Sequence, residues 1–311
     1  MIPHLPIKYG FDSTASPPPV PSPHQGEFVP SFDDRLWLFR RKWEPPLDEN
    51  VKATLMIAHG TVDHSGVYEE LARKLSATGI AVFAQDMRGW GLSDGESMYF
   101  HDLDTFCQDL HTMHQQIHEM PRYQNVKHRF LLGKSIGGTI TAHCIAKYPE
   151  NWTGLIGLSG AYDSDMIPPL PVVYALGAAA LVAPKLPIKH LFDEHLIVAD
   201  ADALQAWRDD PLCSKDKVRL GYIVQAIRHC QSLQDIEFPN TLQSMLMMVG
   251  SDDKVVTNSG HELMISKCGD RVEKSLKLYD QGRHNLLQEP SLKDKVMHDI
   301  EDWILLACAK N

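Results

Sequence analysis

No apolar run in the 311 residues approaches the ~20 that span a bilayer, which excludes a transmembrane helix. Cysteine is sparse. The six, Cys107, Cys144, Cys213, Cys230, Cys268 and Cys308, are scattered and form no CxxC pair. A chain of this length buries a sizeable core without disulfide staples, so they read as thiols in a reducing compartment. Positive charge is in deficit: Lys plus Arg is 30 against 40 Asp plus Glu, a formal net charge of -10. Phosphate binding needs a cationic face, so nucleic acid is excluded as the main partner, as is strong electrostatic attachment to anionic lipid. The opening Met1-Ile2-Pro3-His4 lacks a basic stretch followed by an apolar one, so no secretory signal is expected and the protein is read as cytoplasmic.

Proline is unevenly spread. Eight of the twenty lie in the first thirty residues, including Pro17-Pro18-Pro19, so residues 1–30 are read as a flexible tail, not a core element. After Pro30 short apolar runs alternate with helical stretches. Strands are expected at Leu36–Phe39, Ala53–Ala58, Ile80–Ala84, Arg129–Leu132 and Leu155–Leu158, with helices at Val67–Ala77, Leu103–Met120 and Ile136–Tyr148 between them. The alternation breaks from about 160 to about 238, a proline-bearing helical insertion. It resumes with strands at Ser244–Val249 and Ser275–Tyr279 and helices at Gly260–Lys267 and Leu292–Ala309. This implies right-handed βαβ crossovers: an α/β domain over 31–311 with a mostly parallel central sheet, flanking helices and an inserted cap before the last strands.

Gly133-Lys134-Ser135-Ile136-Gly137 follows a buried strand and opens a helix. In that setting GxSxG is a sharp turn that exposes the serine hydroxyl at the sheet's C-terminal edge. The N–H of Ile136, at a helix N-terminus, can receive a developing oxyanion. The same residues are not a P-loop, because His128 stands where a Walker A glycine is needed. A second GxSxG at Gly91–Gly95 has no helix directly after it and reads as a Gly-rich turn. A serine nucleophile needs a base and an orienting carboxylate, in the chain order Ser, acid, His. The strand at Leu246–Val249 runs into Gly250-Ser251-Asp252-Asp253, and His284 lies in the loop before the last helix. The second oxyanion donor is expected from the loop after the first core strand, at the N–H of Thr61, with neighbouring His59 as a structural loop holder. His111, His114 and His118 share a helix face at a spacing that could hold zinc, but no cysteine or carboxylate completes a site.

Together these residues resemble the monoacylglycerol lipase and lysophospholipase branch of the serine α/β hydrolases. The marks are His59-Gly60 with His64-Ser65-Gly66 and Tyr68, Asp86 to Gly95, Gly133 to Gly138, Asp210-Pro211-Leu212, Gly250 to Asp253, and Tyr279 to His284. The resemblance covers the chain from about Trp37 to its end. It implies an α/β-hydrolase fold with Ser135 as nucleophile, His284 as base, Asp253 rather than Asp252 as acid, and Thr61 and Ile136 as oxyanion donors. It implies hydrolysis of a monoacylglycerol to glycerol and fatty acid, with no metal or organic cofactor. Lysophospholipid or small-ester hydrolysis, acyl transfer, and a ligand-binding receptor on the same fold are the alternatives. Lys134 departs from the family, which has histidine or asparagine before the nucleophile; a cation there could lower a nearby pKa or favour an anionic headgroup, but its ammonium is expected to meet solvent or a carboxylate. The run Pro171–Pro184 has no polar face. It either packs on the core as a cap helix or, as the resemblance implies, lines the acyl entrance, with Leu176 and Leu181 touching substrate, and makes peripheral contact with a membrane; one helix can do both.

Overall fold

The computed structural model describes residues 14–188, 194–197 and 200–310. Eight strands form one sheet: β1 (Glu27–Pro30), β2 (Trp37–Trp43), β3 (Ala53–Ala58), β4 (Ile80–Gln85), β5 (His128–Lys134), β6 (Gly154–Leu158), β7 (Ser244–Gly250) and β8 (Glu273–Tyr279). Their spatial order is β1-β2-β4-β3-β5-β6-β7-β8. The pairings of β1 with β2 and of β2 with β4 are antiparallel, and every other pairing is parallel. The helices are α1 (Glu69–Ser76), α2 (Asp104–Glu119), α3 (Ile136–Lys147), α4 (Leu170–Val182), α5 (Glu194–Ile197), α6 (Ala201–Asp209), α7 (Leu220–Ser232), α8 (Asn258–Ser266) and α9 (Lys293–Ala309).

The central strands are buried on both faces, which is why they read as unbroken apolar runs. Successive side chains still alternate. Leu55, Ile57, Val82, Phe130 and Leu132 pack with α1 and α9. Met56, Ala81, Phe83 and Leu131 pack on the opposite face with α2, α3 and α8.

One expectation is corrected. The proline-rich segment does not run as a tail to residue 30, because Glu27–Pro30 pairs antiparallel with β2 and buries Phe28 and Val29. Pro30 ends an edge strand, where a missing N–H costs no ladder bond. Residues 14–26 carry neither strand nor helix, and the first thirteen residues of the expected tail lie outside those described.

Between β6 and β7 the described residues hold only helices, α4 to α7, with one isolated bridge from Pro187 to Arg219. Residues 189–193 and 198–199 of this insertion lie outside those described. No described helix is long and apolar enough to cross a membrane.

Candidate active site

Ser135 sits between β5 and α3 at φ 55°, ψ -125°, a left-handed conformation that a serine adopts only when its surroundings impose it. The imposition comes from two glycines. A Cβ on Gly133 would stand 2.3 Å from both the Gly137 carbonyl oxygen and Thr141 Oγ1, and one on Gly137 would stand 2.1 Å from the Ala58 oxygen. Strand, turn and helix therefore close to backbone contact, and the serine is carried to the sheet's C-terminal edge.

Three separate segments meet there. His284 Nε2 lies 3.0 Å from Ser135 Oγ, and His284 Nδ1 lies 2.9 Å from Asp253 Oδ2. Asp253 leaves the end of β7, and its other oxygen accepts the N–H groups of Val255 (2.8 Å) and Val256 (3.1 Å). Its side chain is fully buried. Burial pushes the carboxyl up, but His284 and the two backbone donors outweigh it and hold it below the usual range. Asp252 is solvent-exposed and paired with Lys254, whereas Asp253 faces His284.

Thr61 is buried in the loop after β3 and lines the same cavity as Ser135 and Ile136. Its carbonyl accepts Trp90 Nε1–H at 2.5 Å, and its hydroxyl meets the Tyr222 hydroxyl of α7. His59 holds the loop, accepting the Met87 N–H on Nε2 (2.9 Å) while Nδ1 meets the Gly60 carbonyl (2.8 Å). Burial lowers its pKa. Ser93, in the second GxSxG, is fully buried and bonded to the Asp86 carbonyl and the Phe39 N–H. It is a turn residue.

The cavity above Ser135 measures about 300 Å3 and is almost wholly apolar. Leu176 of α4, Ile223, Ala226 and Ile227 of α7, and Val255 and Val256 supply much of its wall. Leu181 does not line it. That residue is 87% exposed on the outer side of α4, because five residues on from Leu176 a helix has turned well past one revolution. The expectation that Leu181 touches substrate inside the pocket is corrected accordingly.

The three helical histidines are spent on packing. His111 stacks on Tyr148, His114 sits edge-on to Trp152, and His118 bonds the Tyr123 carbonyl and Thr54. Burial lowers His114 to about 3 and His118 to about 4. Among the described residues, His64, Asp210 and Cys213 approach a ligating set. Both His64 nitrogens are engaged, by the Gly66 N–H and by Asp210, and burial raises the Cys213 thiol far above its usual value. That donor set holds the cap to the core.

Tyr222, Asp63 and the α7 wall of the cavity are the site residues that sequence reasoning missed. The even apolar spacing of α7 marks a buried helix but not which surface it faces.

The sheet, the nucleophile turn and the Ser–His–Asp arrangement define a serine hydrolase with the α/β-hydrolase fold. The chain belongs to the serine aminopeptidase S33 family, which matches residues 49–291. It is 28% identical over 272 residues to the monkeypox virus monoglyceride lipase homolog, covering 87% of this chain and 95% of the viral protein. It is 29% identical over 275 residues to human monoglyceride lipase, covering 87% and 88%. Among solved structures, a soluble variant of monoglyceride lipase from Saccharomyces cerevisiae in complex with a substrate analog superposes with a TM-score of 0.75. That match is at 21% identity, over 93% of this chain and 98% of the yeast chain.

Proposed function

We propose that the protein hydrolyses monoacylglycerols to glycerol and fatty acid through an acyl-enzyme on Ser135. The observation that carries this is the apolar cavity of about 300 Å3 that opens on Ser135, Thr61 and Ile136. An acyl chain placed there brings its ester carbonyl to the nucleophile and both backbone donors. The relatives named as monoglyceride lipases support the headgroup.

His284 Nε2, facing Ser135 Oγ, takes the hydroxyl proton as the serine attacks the ester carbonyl. Asp253 holds Nδ1–H, fixing the tautomer that leaves Nε2 free to accept, and stabilises the imidazolium. The Thr61 and Ile136 N–H groups receive the oxyanion, each such donor contributing ~3 kcal/mol at the transition state. His284 returns the proton to the departing glycerol oxygen. Water, deprotonated by the same imidazole, then releases the fatty acid.

The cap meets the lipid surface. Leu170, Val172, Tyr174, Leu181 and Val182 of α4 are all exposed, the last two at 87% and 88%, while Leu176 of the same helix lines the cavity. One helix thus links a lipid surface to the pocket without spanning it.

The experiment is glycerol release from 2-oleoylglycerol, run beside lysophosphatidylcholine and p-nitrophenyl butyrate, with Ser135→Ala as control. Preferred turnover of the monoacylglycerol, abolished by the substitution, is expected. Preferred turnover of the lysophospholipid would overturn the headgroup assignment.

A further inference from the structure

Lys134 immediately precedes the nucleophile, yet its side chain is only 6% exposed. Its ammonium lies 2.9 Å from Oδ2 of Asp63, whose side chain is 2% exposed. Asp63 belongs to the loop that carries Thr61, so this ion pair joins the nucleophile strand to the oxyanion loop. The space between them is tight. A Cβ on Gly60 would stand 3.0 Å from Asp63 Oδ2, 3.0 Å from Lys134 Cδ and 3.2 Å from Ser135 Cβ.

Asp63 has little else to hold its charge. The Tyr68 hydroxyl reaches Oδ2 at 3.4 Å, and Oδ1 has no hydrogen-bond partner among the described residues. Burial alone would push the carboxyl up, but the Lys134 charge and hydrogen bond hold it below the usual range. Asp63 and Lys134 share with His284 and Asn285 the lining of a cavity of about 10 Å3. Both members of the pair therefore face the base across a space the size of one water.

We propose that Lys134 and Asp63 are positioning residues of the hydrolytic site: the pair pins the oxyanion loop to the nucleophile turn and cancels, charge against charge, its own field on His284. This rests on the reading of Ser135, His284 and Asp253 as the triad. Two equal charges of opposite sign beside an imidazole leave its protonation balance nearly unchanged, whereas either one alone tips it. The other groups facing His284 are Asp253 from the β7 loop, His261 on α8 and the Ser135 hydroxyl. His59 and Tyr68 face Asp63. Burial lowers His261 to about 4 and keeps it neutral at working pH. Asp253 is common to every variant below, so differences between them read the pair.

The test is the acid limb of kcat/KM against pH for p-nitrophenyl butyrate, together with the pH dependence of fluorophosphonate labelling at Ser135. Lys134→Met strands the Asp63 carboxylate, which stabilises protonated His284, and the limb is expected to move up by about one pH unit. Asp63→Asn strands the ammonium, which disfavours protonated His284, and the limb moves down by a similar amount. Asp63→Asn keeps the side chain's shape and a hydrogen bond to Lys134, so it reads charge even if Lys134→Met folds poorly. The double variant returns the limb to the wild-type position. A merely structural pair would lower the rate without moving the limbs in opposite directions. Unmoved limbs, or limbs that move the same way, in an active and labelled enzyme overturn the pair's role alone. A wild-type enzyme that neither turns over nor labels at Ser135 overturns the triad reading instead.

Discussion

Asp253→Asn is expected to lower kcat by about four orders of magnitude while leaving the site's shape intact, and the reason lies in the carboxylate's two ends. One oxygen accepts the Val255 and Val256 N–H groups at 2.8 and 3.1 Å. The other faces His284 Nδ1 at 2.9 Å. An asparagine must leave its carbonyl oxygen on the two backbone donors, since turning its amide toward them would oppose N–H to N–H in a fully buried place. The NH2 then faces Nδ1, which must accept. The ring proton moves to Nε2, the atom that has to take the proton of Ser135. The trypsin-type triad with the same substitution, the worked case behind this magnitude, loses about 10^4 in kcat, or ~5.5 kcal/mol of barrier. The assay is kcat on p-nitrophenyl butyrate, with Asp252→Asn as control because the Asp252 carboxylate is exposed and paired with Lys254. A loss under tenfold, or an equal loss in the control, would refute the assignment of the acid.

Three further outcomes follow from other parts of the molecule. Ala226→Phe, in the cavity wall, should shorten the accepted acyl chain, dropping the long-to-short ratio of kcat/KM by about tenfold or more; an unchanged ratio would place the chain elsewhere. Leu181→Asp with Val182→Asp, on the exposed side of α4, should weaken flotation with phospholipid vesicles by at least about tenfold, since each apolar side chain withdrawn from water contributes ~1.5–3 kcal/mol. Hydrolysis of a soluble butyrate ester should not change. Asp210 is depressed to about 2, burial opposing but the His64 hydrogen bond and charge prevailing. A carboxyl lowered in the folded state stabilises above its unfolded value and stops doing so as pH falls toward the folded one. The melting temperature should therefore drop between pH 4 and pH 2, and Asp210→Asn should flatten that part of the profile.

The parts of the site legible in the sequence are those set by local sterics or chain order. Gly133 is required by contacts within its own strand-turn-helix unit and Gly137 by the close approach of α3 to the end of β3 at Ala58, so the candidate nucleophile could be read from five residues. His284 followed from its place after the last strand. The choice between Asp252 and Asp253 needed the resemblance, because two adjacent carboxylates read alike in sequence and only the turn after β7 sets Asp253 toward His284 and Asp252 toward Lys254. What stayed hidden depends on chain-distant partners. β1 is four residues ending in proline, with no pattern of its own, and becomes a strand only because β2 offers it an edge. Lys134 and Asp63 are far apart in sequence and look like surface charges until the sheet brings their loops together. Leu176 and Leu181 read alike in an all-apolar run, and only the packing of α4 on α7 assigns one to the cavity and the other to the outside.

The central claim is that Ser135 is an activated nucleophile, and fluorophosphonate labelling located by mass spectrometry tests it without choosing a substrate. The account predicts a single adduct on Ser135, absent from Ser135→Ala and slowed in His284→Ala. A folded protein that takes no label, or labels at another serine such as Ser93, would contradict it.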